Sequence, residues 1–235
     1  MVGNFTDREI APFLADWEDD SQVPRSLHEK AGSLGLLGLG FPENAGGAGE
    51  FLDFLIVNEE VIHHGGSAGL CGALMTHAIA VPHIAAAGDP DQIERYVKPA
   101  LAGTKIGALA VTEPGGGSDV AALATKAVRD GGYYVVNGGK TFITSGCRAD
   151  FVTTAVRTGA DPHRGVSLLV IDTDTPGFAV TRKLDKMGCR CSDTAELSFT
   201  DVRVPAANLV GAEGTGFFQV MQRFDGMYLP ADSGA

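Results

Sequence analysis

The feature that most constrains the fold of this 235-residue chain is a change in the spacing of its apolar residues near residue 105. Before that point apolar residues recur every three or four positions, which is the spacing of amphipathic helices. After it, short β-branched and aromatic runs are separated by glycine-rich turns, which is typical of antiparallel strands. Helices and strands that are segregated along a chain favour an α+β fold with each type in its own domain.

This segregation predicts three regions. Residues 1–104 form an N-terminal all-helical domain, residues 105–207 form an antiparallel β-barrel or sandwich, and residues 208–235 begin a further helical domain. The apolar content of 44% is enough for a real core. The four cysteines lack the spacing of a zinc site or a disulfide framework. Since no basic segment followed by an apolar run opens the chain, we expect a cytoplasmic protein with reduced thiols and no membrane span.

Local signals locate the helices. The run Thr6-Asp7-Arg8-Glu9 has the form of a capping box, and apolar residues at helical spacing follow it as far as Trp17. These signals predict one amphipathic helix that begins at this box. Residues 51–64 predict a further helix, with Leu55 and Ile62 among its inward-facing residues.

Glycine pairs divide the β region into strands. Asp130-Gly131 and Asn137-Gly138 stand between β-branched or aromatic runs, and each predicts a hairpin turn. The predicted strands are 106–111, 125–129, 133–137, 140–144, 151–157, 166–172, 178–183 and 196–202.

The charge of the chain is unevenly distributed. The formal net charge of −11 argues against nucleic acid and anionic membranes as partners. Residues 1–120 contain 6 basic and 17 acidic side chains, whereas residues 121–190 contain 10 basic and 6 acidic ones. A polyanionic small ligand in the strand-rich region would explain this excess of cations, and a solvated surface would explain it equally well.

The first predicted strand ends in the run Val111-Thr112-Glu113-Pro114-Gly115-Gly116-Gly117-Ser118-Asp119. Three consecutive glycines have no Cβ and take positive φ readily, so successive backbone N–H groups can converge on one anion. Thr112 and Ser118 add a hydroxyl on either side. The run is neither a Walker loop nor a dinucleotide fingerprint, because it lacks Gly-Lys-Ser/Thr and G-x-G-x-x-G. It suits a phosphate-bearing ligand close to the backbone, and the alternative is an ordinary surface turn.

Other candidate groups have plainer interpretations. His63, His64 and His77 lie in apolar helices with no carboxylate or thiol at ligand spacing, so we predict no metal site. Glu59 and Glu60 are adjacent carboxylates, but their position favours a solvated helix face over an acid–base pair.

Residues 111–119 are called the glycine segment below. Four further motifs follow it in order. They are Asn137-Gly138-x-Lys140-x-Phe142-Ile143-Thr144-x-Gly146, Lys186-Met187-Gly188, Ser192-Asp193-Thr194-Ala195-Glu196-Leu197 with Asp201-Val202-Arg203-Val204-Pro205, and Gly211-x-x-Gly214-x-Gly216-Phe217. With the glycine segment, they resemble the motifs of the acyl-CoA dehydrogenases, flavoproteins that introduce a 2,3 double bond into fatty acyl-CoA thioesters. The resemblance extends from about residue 36 to residue 224 and is closest to the long-chain members.

The resemblance implies FAD as cofactor and gives roles to particular residues. Val111 and Thr112 would meet the pyrimidine side of the flavin, while Ser118 and the glycines would face the pyrophosphate and the coenzyme A side of the substrate. Phe142 would pack against the isoalloxazine, and Thr144 would hydrogen-bond to flavin N5. The cofactor-binding residues implied are Leu109, Val111, Thr112, Gly117, Ser118, Phe142, Ile143 and Thr144, and Ser118 is also implied in substrate binding.

Without the surrounding motifs, two of these residues have simpler explanations. Phe142 would be a core strand residue, and Thr144 a threonine favoured by its β-propensity. The resemblance also implies acyl-CoA as substrate, electron-transfer flavoprotein as electron acceptor, a role in fatty acid metabolism and a homo- or hetero-oligomer. Arg157 and Arg164, beside a polar loop, are candidates for binding coenzyme A phosphates.

The resemblance also implies where the catalytic base lies. In the family a glutamate on the C-terminal helical domain removes the α-proton, and from Gly226 onward this sequence no longer matches. Gly226 and Pro230 oppose a helix. We therefore predict a truncated dehydrogenase that lacks its catalytic glutamate, is inactive alone and exposes apolar faces. The alternatives are a non-catalytic remnant or partner subunit that binds FAD or acyl-CoA, and a flavin oxidase or monooxygenase of the same fold.

Overall fold

The N-terminal part of the chain is helical as far as Leu101, as predicted. The computed structural model describes the backbone of residues 1–228 and the side-chain surroundings of residues 1–224. The last helical stretch begins at Asp89, whose Oδ1 accepts a 2.8 Å hydrogen bond from the Gln92 N–H. The helices are α1 (Val2–Glu9), α2 (Leu14–Asp20), α3 (Arg25–Ser33), α4 (Phe51–His63), α5 (Ala68–Leu74), α6 (His77–Ala80), α7 (Pro82–Ala87) and α8 (Pro90–Gln92), which continues through a π-helical turn (Ile93–Val97) into α9 (Lys98–Leu101).

The predicted capping box is wrong. Thr6 lies inside α1, where its hydroxyl donates to the Val2 carbonyl at 3.1 Å. The helix ends at Glu9, and the next one starts only at Leu14. Pro12 explains the break, because proline has no N–H and disfavours helical geometry in the residue before it.

Helix α4 has one buried side and one exposed apolar side. Val57 and Val61 are 5% and 2% exposed and contribute to the core of the helical half. The prediction that Leu55 and Ile62 face inward is wrong, since each is 47% exposed. The exposed apolar face of α4 consists of Phe51, Leu52, Leu55, Ile56 and Ile62.

The strands form one seven-stranded sheet, which confirms the predicted β domain. Its order is β1-β4-β2-β3-β7-β6, and β5 pairs with β4. Most neighbours are antiparallel, but β1 and β2 each run parallel to β4, so the sheet is mixed. The strands are β1 (Gly107–Ala110), β2 (Lys126–Asp130), β3 (Tyr133–Thr144), β4 (Phe151–Arg157), β5 (Val166–Asp172), β6 (Phe178–Lys183) and β7 (Thr194–Pro205).

Strands β4 and β5 are buried on both faces. Phe151 and Leu168 pack against the helical half, in the same core as Tyr96 and Ile84. The alternate residues, such as Val152, face a second core that lies among the strands themselves. This double burial explains why both strands are continuous apolar runs, and why the sequence placed their ends correctly.

The predicted turn at Asn137-Gly138 is wrong, because β3 runs through it as one strand of 12 residues. A register shift falls between Val136 and Gly138, where β7 has one residue more than β3 and forms a bulge around Asp201, whose φ is +51°. Asn137 Nδ2 donates to Asp201 Oδ1 at 3.0 Å, and the Asp201 N–H donates to Asn137 Oδ1 at 2.9 Å. A Cβ at Gly138, where φ is +151°, would lie 2.6 Å from the Thr125 hydroxyl oxygen, so this position requires glycine.

A buried ion pair within the β half also contacts the helical half. Arg148 Nε donates to Asp193 Oδ1 at 2.5 Å, and both side chains are at most 3% exposed. Arg148 Nη1 also donates to the Val23 carbonyl at 3.2 Å. A second pair, Arg25 with Asp150 at 2.6 Å, lies nearby at the half-exposed rim. These contacts fix the helices relative to the strands.

Helix α10 (Gly216–Tyr228) follows the sheet, and Val220 is buried in the core shared with β5. Gly226, expected to oppose a helix, lies within α10, and Pro230 lies outside the described residues. Within the described part of the chain, no single helix has both the length and the apolar composition to cross a membrane. One bent combination, α5 with α6 and α7 at 54°, meets those two criteria jointly.

Candidate functional site

The glycine segment lies beside the end of β3. The Thr141 N–H donates to the Thr112 carbonyl at 2.9 Å, and Lys140 Nζ donates to the Val111 carbonyl at 2.9 Å. These two bonds attach the chain after β1 to the strand that carries Phe142 and Thr144. Two sets of predicted site residues are therefore neighbours in the fold.

The glycine segment begins with a tight turn. The Glu113 N–H donates to the Gly116 carbonyl at 3.0 Å, and the Gly116 N–H donates back to the Glu113 carbonyl at 3.1 Å. A Cβ added at Gly115 or Gly116 would meet no atom within 4 Å. At Gly117 it would lie 3.3 Å from Cγ2 of Thr112, so Gly117 and Thr112 are in close approach. Residues 114–119 are all exposed, as a ligand-binding loop requires.

The Glu113 carboxylate binds the turn to the rest of the domain. It accepts the backbone N–H groups of Ala124 at 2.6 Å and Thr125 at 2.9 Å, and Lys140 Nζ at 2.8 Å. Burial raises the pKa of this carboxyl, but the hydrogen bonds from Lys140, Thr125 and Ala124 outweigh it, so the pKa lies below its ordinary value. Glu113 is therefore ionised, and both of its carboxylate oxygens accept hydrogen bonds.

Lys140 is the buried partner of Glu113, and its side chain is 0% exposed. Burial lowers the pKa of the ammonium group from 10.5 to about 8, and the nearby Glu113 carboxylate opposes that change. Lys140 and Glu113 both lie within the sequence motifs, but the motifs alone give no role to either residue. A lysine in the middle of an alternating strand was the signal available, because such a residue is normally at the surface.

A second irregularity in β3 turns Phe142 outward. The pairing with β7 shifts register between Lys140 and Ile143, and Phe142 has φ of +60° and is 66% exposed. A non-glycine residue with positive φ costs about 1–2 kcal/mol, and such residues cluster at functional sites. Phe142 is therefore not the core strand residue of the simpler interpretation.

The remaining predicted residues differ in exposure. Ile143 is 2% exposed in the core between the strands, whereas Thr144 is half-buried and pairs with Thr194. Leu109 is half-buried, and its side chain packs on the core shared with the helices. Ser118 is exposed on the glycine segment. Leu109 and Ile143 thus direct their side chains into cores, not towards the surface shared by Ser118 and Phe142.

Arg157 is not available for a ligand. Its guanidinium donates to four backbone carbonyls, at distances between 2.6 and 3.4 Å: Ala121, Leu123, Asp161 and Pro162. This arginine binds the neighbouring loops together, so its proposed contact with coenzyme A phosphates is wrong. Arg164 is exposed on the same loop.

Among the histidines on the helices, His77 is buried and contacts the backbone. His77 is 4% exposed and its Nε2 lies 2.7 Å from the Leu37 carbonyl. Burial lowers its pKa to about 4, so the ring is neutral at pH 7. Among the described residues, no group of three or more His, Cys, Asp or Glu side chains is arranged around a possible metal position.

An apolar crevice of about 240 Å³ lies elsewhere, between the helices. Its walls include Phe41, Phe54, His83 and, from α10, Phe224. None of its lining residues belongs to the glycine segment or to the end of β3. The crevice and the glycine segment are therefore separate features of the surface.

Comparison with known protein families decides the family. Residues 1–104 match the model of the acyl-CoA dehydrogenase N-terminal domain, and residues 108–202 match that of the acyl-CoA dehydrogenase middle domain. The chain belongs to the acyl-CoA dehydrogenase family. The resemblance found in the sequence motifs is thereby confirmed, and with it membership of a family of oxidoreductases.

Individual acyl-CoA dehydrogenases agree with the family assignment. The chain is 40% identical over 224 residues to the mitochondrial long-chain specific acyl-CoA dehydrogenase of Rattus norvegicus, covering 94% of this chain and 52% of that protein. It is similar to a crystal structure of a probable acyl-CoA dehydrogenase from Mycobacterium abscessus, with 64% identity, a TM-score of 0.95, and 97% and 61% of the two chains covered.

A third relative is a glutaryl-CoA dehydrogenase from Mycobacterium smegmatis, solved in complex with FADH2. It is 28% identical, with a TM-score of 0.85, and the match covers 95% of this chain and 56% of that one. This acyl-CoA dehydrogenase chain thus spans between half and two thirds of the length of the relatives it matches.

Proposed function

We propose that the chain binds FAD at the surface formed by the glycine segment and the end of β3, and that it serves in the 2,3-desaturation of acyl-CoA thioesters. The observation that carries the proposal is Phe142, an aromatic ring 66% exposed at a φ of +60°. It lies next to a loop in which the Gly115, Gly117 and Ser118 N–H groups have no acceptor among the described residues. An exposed, strained aromatic residue is costly unless it has a ligand to contact.

The residues at this surface fit the parts of FAD. The Phe142 ring offers a flat apolar face for an aromatic heterocycle, since offset stacking favours such pairs. The exposed N–H groups of Gly115, Gly117 and Ser118 and the Ser118 hydroxyl are suited to a phosphate, whereas the Gly116 N–H donates to the Glu113 carbonyl. We propose that Thr144, half-buried at the end of β3, donates its hydroxyl to a ring nitrogen of the flavin. The proposed cofactor-binding residues remain Leu109, Val111, Thr112, Gly117, Ser118, Phe142, Ile143 and Thr144, with contacts through the backbone at Leu109 and Ile143, whose side chains lie in cores.

FAD, when bound, would supply the acceptor for the hydride that leaves the substrate β-carbon. The protein has to orient that acceptor, exclude water and remove the α-proton. Glu113 is unsuited to proton removal, because three hydrogen bonds stabilise its anion and lower its basicity. We therefore propose that the base is a carboxylate supplied from outside the described residues.

Two relatives support the choice of cofactor and substrate. One solved glutaryl-CoA dehydrogenase carries FADH2, and the rat relative is specific for long-chain acyl-CoA. By analogy we propose acyl-CoA as the substrate, electron-transfer flavoprotein as the acceptor of electrons and an oligomeric assembly. The division into 1–104, 105–207 and 208–235 belongs to the same proposal, as does the cytoplasmic location.

Titration of the purified chain with FAD tests the proposal, with flavin fluorescence and near-ultraviolet circular dichroism as readouts. Phe142→Ala should weaken binding about tenfold, because the variant loses stacking and apolar contact. Tyr133→Ala is the matched control, since Tyr133 is an exposed aromatic residue at the opposite end of β3. Equal binding by all three proteins, or no binding by the unmodified chain, would contradict the proposal.

The alternative functions give different outcomes in the same assay. Binding of FAD without reduction by acyl-CoA is expected of a remnant or partner subunit that lacks a base. Reduction followed by rapid consumption of dioxygen is expected of an oxidase. Transfer of electrons to a dye acceptor, with little consumption of dioxygen, is expected of a dehydrogenase.

A further inference from the structure

Lys140 lies at the centre of the bonds that hold the glycine segment. Its buried Nζ donates to the Val111 carbonyl at 2.9 Å and to Glu113 Oε1 at 2.8 Å. We propose that Lys140 is a positioning residue for the cofactor: its ammonium group fixes the Val111–Thr112 peptide so that the Thr112 N–H is presented to FAD as a donor. This inference rests on the proposed FAD site and identifies the residue that prepares it.

The geometry of the peptide leads from Lys140 to that N–H. In a trans peptide the C=O and the N–H point in opposite directions, so a Val111 carbonyl directed at the buried ammonium turns the Thr112 N–H away from it. The Thr112 carbonyl is also engaged, by the N–H of Thr141 at 2.9 Å. Among the described residues, the Thr112 N–H has no backbone or side-chain acceptor within hydrogen-bonding distance. A ligand is the remaining partner for a half-buried donor.

The ammonium group also strengthens that donor. A cation bound to a peptide oxygen in a buried site polarises the peptide, and its N–H then forms stronger hydrogen bonds. Glu113 neutralises the lysine, and through Ala124 and Thr125 it holds the start of β2 at the same place. The Lys140–Glu113 pair therefore links the glycine segment, β2 and β3 to the Val111–Thr112 peptide that follows β1.

Stability alone does not account for this ion pair. Removing a lysine and a carboxylate from water is costly, and replacing a buried pair with apolar side chains of similar volume is often neutral or stabilising. A variant that removes both charges should therefore keep the fold and lose only the orientation of the peptide. The double variant Lys140→Met with Glu113→Gln separates the two effects, because it leaves no unpaired buried charge.

The experiment compares the unmodified chain, the double variant and Lys126→Met. Lys126 is an exposed lysine on β2, so its replacement controls for the loss of one positive charge in the same domain. The melting temperature without FAD reports stability, and fluorescence titration reports the affinity for FAD. We expect similar melting temperatures for all three proteins and about tenfold weaker FAD binding by the double variant alone, which corresponds to one lost polarised hydrogen bond.

The outcomes separate this inference from the proposed function. If the unmodified chain does not bind FAD, both are overturned. If it binds and the double variant binds equally well, only the role of Lys140 is overturned. A second measurement does not depend on the double variant and therefore remains valid if that variant fails to fold. In the ¹⁵N-labelled unmodified chain, FAD should shift the Thr112 amide proton resonance downfield and leave the Lys126 amide resonance unchanged. An unchanged Thr112 signal in a chain that binds FAD overturns the inference.

Discussion

Lys140 and Phe142 are two residues apart on β3, yet one is 1% exposed and the other 66% exposed. In a regular strand, residues i and i+2 face the same side and share its environment. The register shift between Lys140 and Ile143 breaks that rule, and Phe142 takes a φ of +60°. The irregularity thus places a buried cation and an exposed ring within one short segment.

The strained backbone at Phe142 predicts an unusual result for Phe142→Gly. Glycine takes positive φ without the cost of about 1–2 kcal/mol that phenylalanine bears, and this offsets its larger loss of backbone entropy. The free energy of unfolding, from urea denaturation, should stay within about 1 kcal/mol of the unmodified chain or rise. Val128→Gly is the control, because Val128 is 63% exposed on β2 and has an ordinary strand φ; it should lower stability by about 1 kcal/mol. A larger loss for Phe142→Gly than for Val128→Gly would contradict this account.

The ion pairs of Arg148 and Arg25 should differ greatly in their contributions to the stability of the chain. Arg148→Ala leaves Asp193 buried without its charge partner, so we expect the free energy of unfolding to fall by about 3–5 kcal/mol. Arg25→Ala removes a pair whose side chains are 45% and 34% exposed, and the expected loss is about 1 kcal/mol or less. Chemical denaturation of both variants measures the difference, and similar losses would show that the burial of Arg148 has little effect.

Lys140 should make the free energy of unfolding depend on pH in the alkaline range. Its pKa is about 8 in the folded chain and 10.5 as the ordinary value, so between these pH values the unfolded chain binds more protons at this site. Stability from this residue therefore rises with pH across that window, by up to about 3 kcal/mol. Cysteines and tyrosines with raised pKa act in the opposite direction, as Cys147 does at about 11. The quantity to measure is therefore the difference in unfolding free energy between the unmodified chain and Lys140→Met/Glu113→Gln, and a flat difference between pH 8 and pH 10.5 would refute the prediction.

Three buried histidines should make the chain sensitive to mild acid. Burial is the main cause that lowers the pKa of His77 and His83 to about 4 and that of His28 to about 3, from an ordinary value of 6.5. Below pH 6.5 the unfolded chain gains protons at these sites before the folded chain does, so stability falls as the pH falls. Each histidine contributes up to about 1.4 kcal/mol per pH unit in that window. Urea denaturation at several pH values between 7 and 5 should show this slope, and His77→Gln should reduce it by about one third.

The sequence predicted the fold where one physical signal dominated. The ends of β4, β5 and β6 agree with the prediction, because apolar runs bounded by turn residues have few alternatives. Prediction failed where two signals competed. Pro12 overrode the capping box at Thr6, and pairing with β7 kept Asn137-Gly138 within one continuous strand. Pro12 acts locally, whereas the second outcome depends on contacts between residues that are distant in the chain.

The sequence predicted where the candidate site lies, but it did not predict which of its side chains are buried and which are exposed. The glycine segment and the residues after Lys140 were recognised from their motifs, and the fold brings them together. The burial of Lys140 and the exposure of Phe142 follow from a register shift that alternation alone does not reveal. The prediction for Arg157 failed because its charge is used on carbonyl groups that lie 4 to 36 positions away in the sequence.

The exposed apolar face of α4 affects which fluorescence probe can report the unfolding of this chain. Phe51, Leu52, Leu55, Ile56 and Ile62 offer a solvatochromic dye a docking place while the polypeptide is still native. Scanning fluorimetry with such a dye should therefore start from a bright baseline, and heating should change the signal less than it does for ordinary globular proteins. Intrinsic emission from Trp17 reports unfolding without that background, and it is therefore the better probe of thermal unfolding in this chain.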